Sequence, residues 1–484
     1  KQQLFSEKFQ GIRPAIGYPS LPDQSIIFIV DKLIDLSEIG ITITESGAMK
    51  PHASTCGLIF AHPKARYFSV GKGTSRRLCL PPWASKRNDI QILAIKHTTM
   101  ITRISLLLFF LIIFPAAFIY YKRLRRCKRL FPKILFALPN LVLLVLTIYF
   151  MVHDNNIARN ADAVGIYLIL LLFTTLPELI FSAVLGISLL LKNKMRKIIM
   201  RLGAVLATSI ACAVVVGYVS CFTVIKVGHH NYTSPDVPEC FDGYRIVHVS
   251  DLHLGTYNLF PGTVDRIVKK VNEQHGDVIF FTGDLVNFSH TEAAQFINRL
   301  REMKARDGVY SVLGNHDYLR YVSYNNESER LRYMEKMKEM QHKAGWNLLL
   351  NENRIIRRGN DSIFVVGSEN DGLPPFPAKG DLKKALKGIP VNAFKVLLSH
   401  DPTQWRRKVL PLTNIQLTLS GHTHAGQIKI LGHSPSALVY SEWDGMYSQD
   451  GRVLFISSGV GEALVPFRLG AWPKIDIITL HSSK

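Results

Sequence analysis

Residues 244–255 read YRIVHVSDLHLG. An apolar run, residues 246–249, stops at Asp251 and His253, and a glycine follows. Short apolar runs bounded by turn residues read as buried strands. A helix-periodic stretch, TVDRIVKKVNEQH (263–275), comes next, then a second apolar run, DVIFFTGDLVNF (277–288). After another helical stretch the unit recurs as GVYSVLGNHDY (308–318). Strands alternating with helices predict an α/β layered domain over 226–484. In such sheets, sites gather at the carboxyl ends of strands. The polar residues fall there: Asp251 and His253, Asp284, Asn315 and His316. Two later runs end the same way. AFKVLLSHDP (393–402) delivers His400, and IQLTLSGHTHAGQI (415–428) delivers His422 and His424.

Each motif alone has an ordinary explanation. A lone Gly-Asp or Asn-His-Asp is a turn, and a lone histidine is a satisfied hydrogen-bonding group. Together, five strand ends present Asp, His and Asn, ligands that borderline divalent metals accept. Asp-x-His at a strand terminus aims two side chains at one ion, and His-x-His points two imidazoles at adjacent ions. Gly283, Gly314 and Gly421 precede ligands and permit tight turns close to the metals. The joint pattern predicts a dinuclear metal site.

The motifs DLH, GD, GNHD, SHDP and GHTH, in this order, resemble the calcineurin-like metallophosphoesterases. The nearest subgroup is membrane-anchored and carries a GHTHGGQ signature; here GHTHAGQI places Ala425 at its first paired glycine. The resemblance implies two mixed β-sheets in a sandwich flanked by helices. It implies one metal held by Asp251, His253, Asp284 and His424, and another by Asp284, Asn315, His400 and His422, with Asp284 bridging. The ions would be manganese, iron or zinc. Two such cations share a hydroxide that attacks phosphorus in line. The leaving oxygen needs a proton, and His316 is the candidate donor. Asp317 either orients the His316 imidazole or caps the turn. The expected activity is hydrolysis of a phosphoester or pyrophosphate. Similar membrane-linked members cleave the pyrophosphate bond of a UDP-diacylglucosamine, but an outward-facing domain would not meet a nucleotide-sugar made in the cytoplasm, so the expected substrate is a phosphoester of an envelope lipid or a periplasmic metabolite.

Upstream lie four apolar runs, 104–121, 134–152, 164–191 and 202–225, each near the ~20 residues that cross a bilayer. The loops YKRLRRCKRLFPK (121–133) and KNKMRK (192–197) are basic, whereas 153–163 holds one Arg. The positive-inside rule puts the basic loops in the cytoplasm and the catalytic domain outside a bacterial inner (cell) membrane. The same loops account for much of a net charge of +21, which favours the lipid bilayer over nucleic acid as partner. No CxxC pair occurs, so zinc-ribbon and thioredoxin readings have no support. Glu178, inside the third run, is either functional or paired with another helix.

Residues 1–72 read as a small α+β fragment. GIRPAIGYPSLPD (11–23), TESGAM (44–49) and GLIFAHPKARYFSVG (57–71) resemble the end of the activation domain of cobalamin-dependent methionine synthase. The resemblance implies S-adenosylmethionine binding, with Arg13, Tyr67 and Phe68 at contact positions, for reactivation of cobalamin in methionine biosynthesis. The upstream acidic contact and most of that domain are missing. Residues 73–99, with Pro81-Pro82 and no period, are expected to be an unstructured junction. Met100 is then expected to begin a separate membrane phosphoesterase, with a genuine fusion as the alternative. The whole chain reads as multi-domain: truncated fragment (1–72), junction (73–99), four transmembrane helices (100–225) and phosphoesterase domain (226–484).

Overall fold

The computed structural model describes residues 107–152, 161–322 and 324–483, together with the short strands β1 (Thr42–Ile43) and β2 (Met49–Lys50), which pair antiparallel. Arg13, Tyr67, Phe68 and the segment 73–99 lie outside the described residues.

Four helices are long and apolar enough to cross a membrane: α1 (Leu107–Leu124), α2 (Phe131–Val152), α3 (Ala161–Ser188) and α4 (Asn193–Thr223). Of the basic stretch expected as a loop at 192–197, residues 193–197 instead form the first turns of α4, with Lys192 as its N-cap. Lys, Arg and Met are strong helix formers, so the helix extends past its apolar part. Pro139 and Pro177 sit inside α2 and α3, as membrane helices tolerate. The Glu178 carboxylate accepts a 2.8 Å hydrogen bond from Asn140 Nδ2 of α2, so it is paired with a neighbouring helix.

The end of α4 leads into β3 (Lys226–Ser234). One sheet has the order β3-β14-β4-β5-β6-β7. It adds β4 (Arg245–Val249), β5 (Val278–Phe281), β6 (Val309–Ser311), β7 (Asn347–Leu348) and β14 (Lys474–Ser482) to β3. The second sheet has the order β12-β13-β11-β10-β9-β8. Its strands are β8 (Glu352–Arg358), β9 (Asp361–Gly367), β10 (Phe394–Leu398), β11 (Leu417–Ser420), β12 (Gly445–Gln449) and β13 (Arg452–Ile456). Both sheets are mixed: β4, β5 and β6 run parallel while β14 is antiparallel to β4, and β9, β10 and β11 run parallel while β8 is antiparallel to β9.

Period-two alternation produces the layers. Ile246, Val278 and Phe280 meet Ile363, Val365, Val396, Leu398, Leu417 and Phe455 in the core between the sheets. Val247, Val249, Ile279 and Phe281 face the other way. They pack with Val264, Ile267, Val268 and Val271 of α5 (Gly262–Asn272) and Met334 and Met337 of α6 (Glu327–Lys343). Val366, Leu397, Leu454 and Ile456 form a third core with Trp405 and Val409. Each such side chain contributes about 1.5–3 kcal/mol on burial. The architecture is the expected sandwich of two mixed sheets with helices on its outer faces.

Candidate metal centre

The parallel strands aim their ends at one place. Asp251 and His253 follow β4, Asp284 follows β5, Asn315 and His316 follow β6, His400 follows β10, and His422 and His424 follow β11. All seven expected ligands come together; six are buried and His422 is half-buried. Donor atoms of Asp251, His253 and His424 lie within 4.8 Å of one another, as do those of Asp284, His400 and His422. A third group joins His253, Asp284 and His316. Asp284 stands between the sets: its Oδ2 is 3.1 Å from His400 Nε2 and 3.6 Å from His253 Nε2.

The turns that make this possible are strained. Asp251, His253, Asp284, His422 and His424 have φ between +44° and +74°, which non-glycine residues adopt at a cost and mostly at functional sites. Gly421 permits the closest approach. A Cβ there would lie 1.9 Å from Ser250 Oγ and 2.2 Å from Asp251 Oδ2. Without that Cβ, the His422 N–H donates to both Asp251 oxygens at 3.1 and 3.2 Å.

Neighbouring groups orient the donors. His400 Nδ1 pairs with the Thr282 carbonyl at 2.8 Å, which leaves its Nε2 toward Asp284. Asn315 Nδ2 donates to the Tyr321 hydroxyl at 2.7 Å, turning Oδ1 inward, 3.1 Å from His400 Nε2. Tyr440 Oη is 2.9 Å from His422 Nε2, and Arg468 Nη2 is 3.1 Å from His424 Nδ1. Arg468 is fully buried. It donates to the carbonyls of Ser458, Gly461 and Ala471 and lies 3.4 Å from the buried Glu462. Burial pushes Glu462 up to about 7, against the opposing charge of Arg468. Tyr321, Tyr440, Glu462 and Arg468 are absent from the sequence reading.

His316 is half-buried, stacked on Tyr321 with ring centroids 4.3 Å apart. Its Nδ1 is 2.6 Å from the Asn287 carbonyl, which is therefore the group that orients the ring. Asp317 does something else. Its carboxylate accepts from the N–H groups of Asp284 at 2.9 Å, Leu285 at 2.8 Å and Gly314 at 2.8 Å. Of the two roles considered for Asp317, the contacts are those of a turn cap that ties the β5 and β6 ends together.

Charge and donor chemistry fit divalent cations. Burial lowers the basicity of His253 and His424, and of His422 to about 4, so these imidazoles are neutral ligands. Burial opposes the imidazolium of His400 too, but the charge and hydrogen bond of Asp284 outweigh it and raise His400 to about 10. Burial would raise Asp284; the imidazoles of His400 and His316 instead hold it well below the carboxylate range. His253 Nε2 and His424 Nε2 face each other at 3.1 Å, with Asp251 Oδ1 3.3 Å from the latter. Imidazole, carboxylate and amide oxygens converging in this way are a donor set for zinc, manganese or iron.

Comparison with known proteins agrees. Residues 244–426 match the family model described as calcineurin-like phosphoesterase. Residues 1–79 match the one described as vitamin B12 dependent methionine synthase, activation domain. A Bacillus subtilis protein described as an uncharacterized metallophosphoesterase, YkuE, is 28% identical over 54% of this chain and 87% of its own length. Proteins described as a transmembrane protein with metallophosphoesterase domain are 30% identical in Danio rerio, over 51% of this chain and 55% of that one. In Bos taurus the identity is 27%, over 54% of this chain and 57% of that one. The chain thus spans a little over half the length of these two transmembrane relatives.

Proposed function

Since residues 244–426 match the calcineurin-like phosphoesterase family model, we propose that the chain is a membrane-anchored phosphoester hydrolase using two divalent cations. Asp251, His253, Asp284 and His424 would hold one, and Asp284, Asn315, His400 and His422 the other. Bound there, manganese, iron or zinc supplies Lewis acidity toward phosphoryl oxygens and activates water. The observation that carries the reading is the convergence of seven strand-end donors, with two carboxylates among four buried or half-buried imidazoles.

The chain's own groups perform the remaining tasks. Asp284 faces both donor sets and fixes their separation. Tyr321 holds the Asn315 amide so that its oxygen points inward. His316, anchored through Nδ1 to the Asn287 carbonyl, keeps Nε2 available to give a proton to the leaving oxygen. The preferred substrate is a phosphoester or pyrophosphate of a membrane lipid. The charge of residues 121–133 and 192–197 supports placing the domain outside the cytoplasm.

Full-length protein purified in detergent and loaded with each metal is tested on nitrophenyl phosphate and bis(nitrophenyl) phosphate. Turnover with at least one metal, abolished by a chelator, is expected; none with any metal would refute the hydrolase reading. A reporter fused after His481 should be active only outside the cytoplasm, and cytoplasmic activity would reverse the orientation.

A further inference from the structure

Loop 463–470 is where the metal centre meets the membrane helices. Arg468 touches the ligand His424, and its main-chain N–H donates to the Gly217 carbonyl of α4 at 3.2 Å. A Cβ on Gly217 would lie 2.3 Å from the Phe467 ring, and one on Gly165 of α3 would lie 3.4 Å from Pro466 Cδ. Gly217 stands six residues before the end of α4, ~9 Å along the axis at 1.5 Å per residue. The loop therefore packs along the flank of the helix, against Gly217 rather than at its last residue.

A second segment lies against it. Gln427 Nε2 donates to the carbonyls of Val465 and Phe467, both at 2.9 Å. Leu469 N–H donates to the Gln427 carbonyl at 2.9 Å, and Lys429 N–H to the Leu469 carbonyl at 2.8 Å. Beyond Lys429 the chain turns outward and becomes aliphatic. Ile430 is 56% exposed, Leu431 94%, Leu438 90% and Val439 76%. Leu431 is two residues past Lys429, at most about 7 Å further. The loop then returns to the site, because Tyr440 Oη is 2.9 Å from His422 Nε2. Exposed Leu259, Phe260 and Leu464 line the junction beside Tyr218 and Phe222 of α4. Exposed aliphatic clusters of this kind mark protein or membrane contacts, and the junction residues adjoin α4, one of the four helices long and apolar enough to cross a membrane.

We propose that loop 428–440 dips into the surface of the bilayer crossed by α1–α4, and that it sets the metal centre at headgroup level to take phosphoesters anchored in that bilayer. The first half stands on the loop itself; the second rests on the phosphoesterase reading. The loop carries an apolar tip at one point and a hydroxyl on a metal ligand at another. Insertion of the tip would hold Tyr440 and His422 facing the headgroups.

The two halves are tested separately. Leu431→Trp and Leu438→Trp each add a fluorophore at an exposed position of the full chain. The variants are reconstituted in phosphatidylcholine vesicles with or without bromine on the acyl chains. The added emission, taken as the difference from parent protein, should be quenched at least about twofold by the brominated lipid in both variants. No quenching in either overturns insertion, whatever the enzyme hydrolyses. For the second half, Leu431→Ser/Leu438→Ser is assayed on two probes: bis(nitrophenyl) phosphate in solution and a nitrophenyl phosphodiester of diacylglycerol in vesicles. Activity on the soluble probe should stay within about twofold of parent while the vesicle probe falls about tenfold or more. Equal effects on both probes, or no effect on the vesicle probe, overturn the headgroup-level role. Quenching with no hydrolysis of either probe by the parent would sink the hydrolase reading and leave the docking surface standing.

Discussion

His316→Gln separates proton transfer from metal binding. The imidazole contacts the Asn287 carbonyl at 2.6 Å and stacks on Tyr321 at 4.3 Å. Its main-chain N–H, which donates to Asp284 Oδ1 at 2.9 Å, survives any side-chain change. Losing one hydrogen bond and one ring contact costs about 1–3 kcal/mol of stability, so the variant should fold and retain both metals. Losing a general acid lowers turnover about 10²–10⁴-fold, or about 2.7–5.5 kcal/mol on the barrier. That loss should appear in full on an alkyl phosphoester, whose departing alkoxide needs a proton. It should shrink to under about tenfold on nitrophenyl substrates, because nitrophenolate departs nearly unaided. Elemental analysis gives metal per chain, and turnover on the two substrate types gives the ratio. Equal impairment on both would refute the acid role. Loss of a metal would instead make His316 a ligand, as its grouping with His253 and Asp284 allows.

Asp284→Asn removes the charge shared by both donor sets, so metal content should fall well below two ions per chain with activity nearly abolished; retention of two ions would refute the bridging role. Arg468→Met leaves Glu462 buried without its counter-charge and should cost about 3–5 kcal/mol in chemical denaturation. Adding Glu462→Leu should recover most of that, and an unchanged midpoint in the single variant would show that the pair contributes nothing. Asp476 on β14 is held below the carboxylate range: burial alone would raise it, but the bonds from His230 at 2.9 Å and Lys474 at 2.6 Å outweigh that. A depressed folded pKa contributes stability that is present above the unfolded value near 3.8 and is lost as pH falls through the folded value. Melts between pH 7 and 2 should therefore steepen in their decline below about pH 4, and Asp476→Asn should flatten that decline; identical slopes would count against the assignment.

The seven converging donors are legible in the sequence because each follows a strand by two to four residues. A strand's end fixes its next residues in space, so a list of strand ends is almost a list of coordinates. The groups that orient those ligands are not legible, for reasons that differ. Asn287 acts through its carbonyl, which every residue possesses. Arg468 lies 44 residues past the ligand it touches and reads as one charge in a basic chain; only packing reveals that it and Glu462 are fully buried together. Tyr321 and Tyr440 are ordinary loop tyrosines until the turns bring them onto Asn315 and His422.

Backbone strain is half-visible. The glycines beside the ligands announce tight turns, but nothing announces that Asp251, His253, Asp284, His422 and His424 are themselves left-handed. Ala425 shows why a departure from the GHTHGGQ signature is tolerated. Its φ is +47°, which costs an alanine roughly 1–2 kcal/mol relative to the usual conformation. Thr423 Oγ1 accepts from its N–H at 3.3 Å, and Ser434 Oγ donates to its carbonyl at 2.5 Å, so neighbouring hydroxyls offset part of that cost. The same logic applies at the membrane. The length and hydropathy of α4 are sufficient for a membrane-crossing helix, yet Gly217 looks like any small residue in such a helix. Its function follows from Phe467 and the Arg468 N–H resting against it. A periodic pattern tells which face of an element is covered, and only the fold tells what covers it.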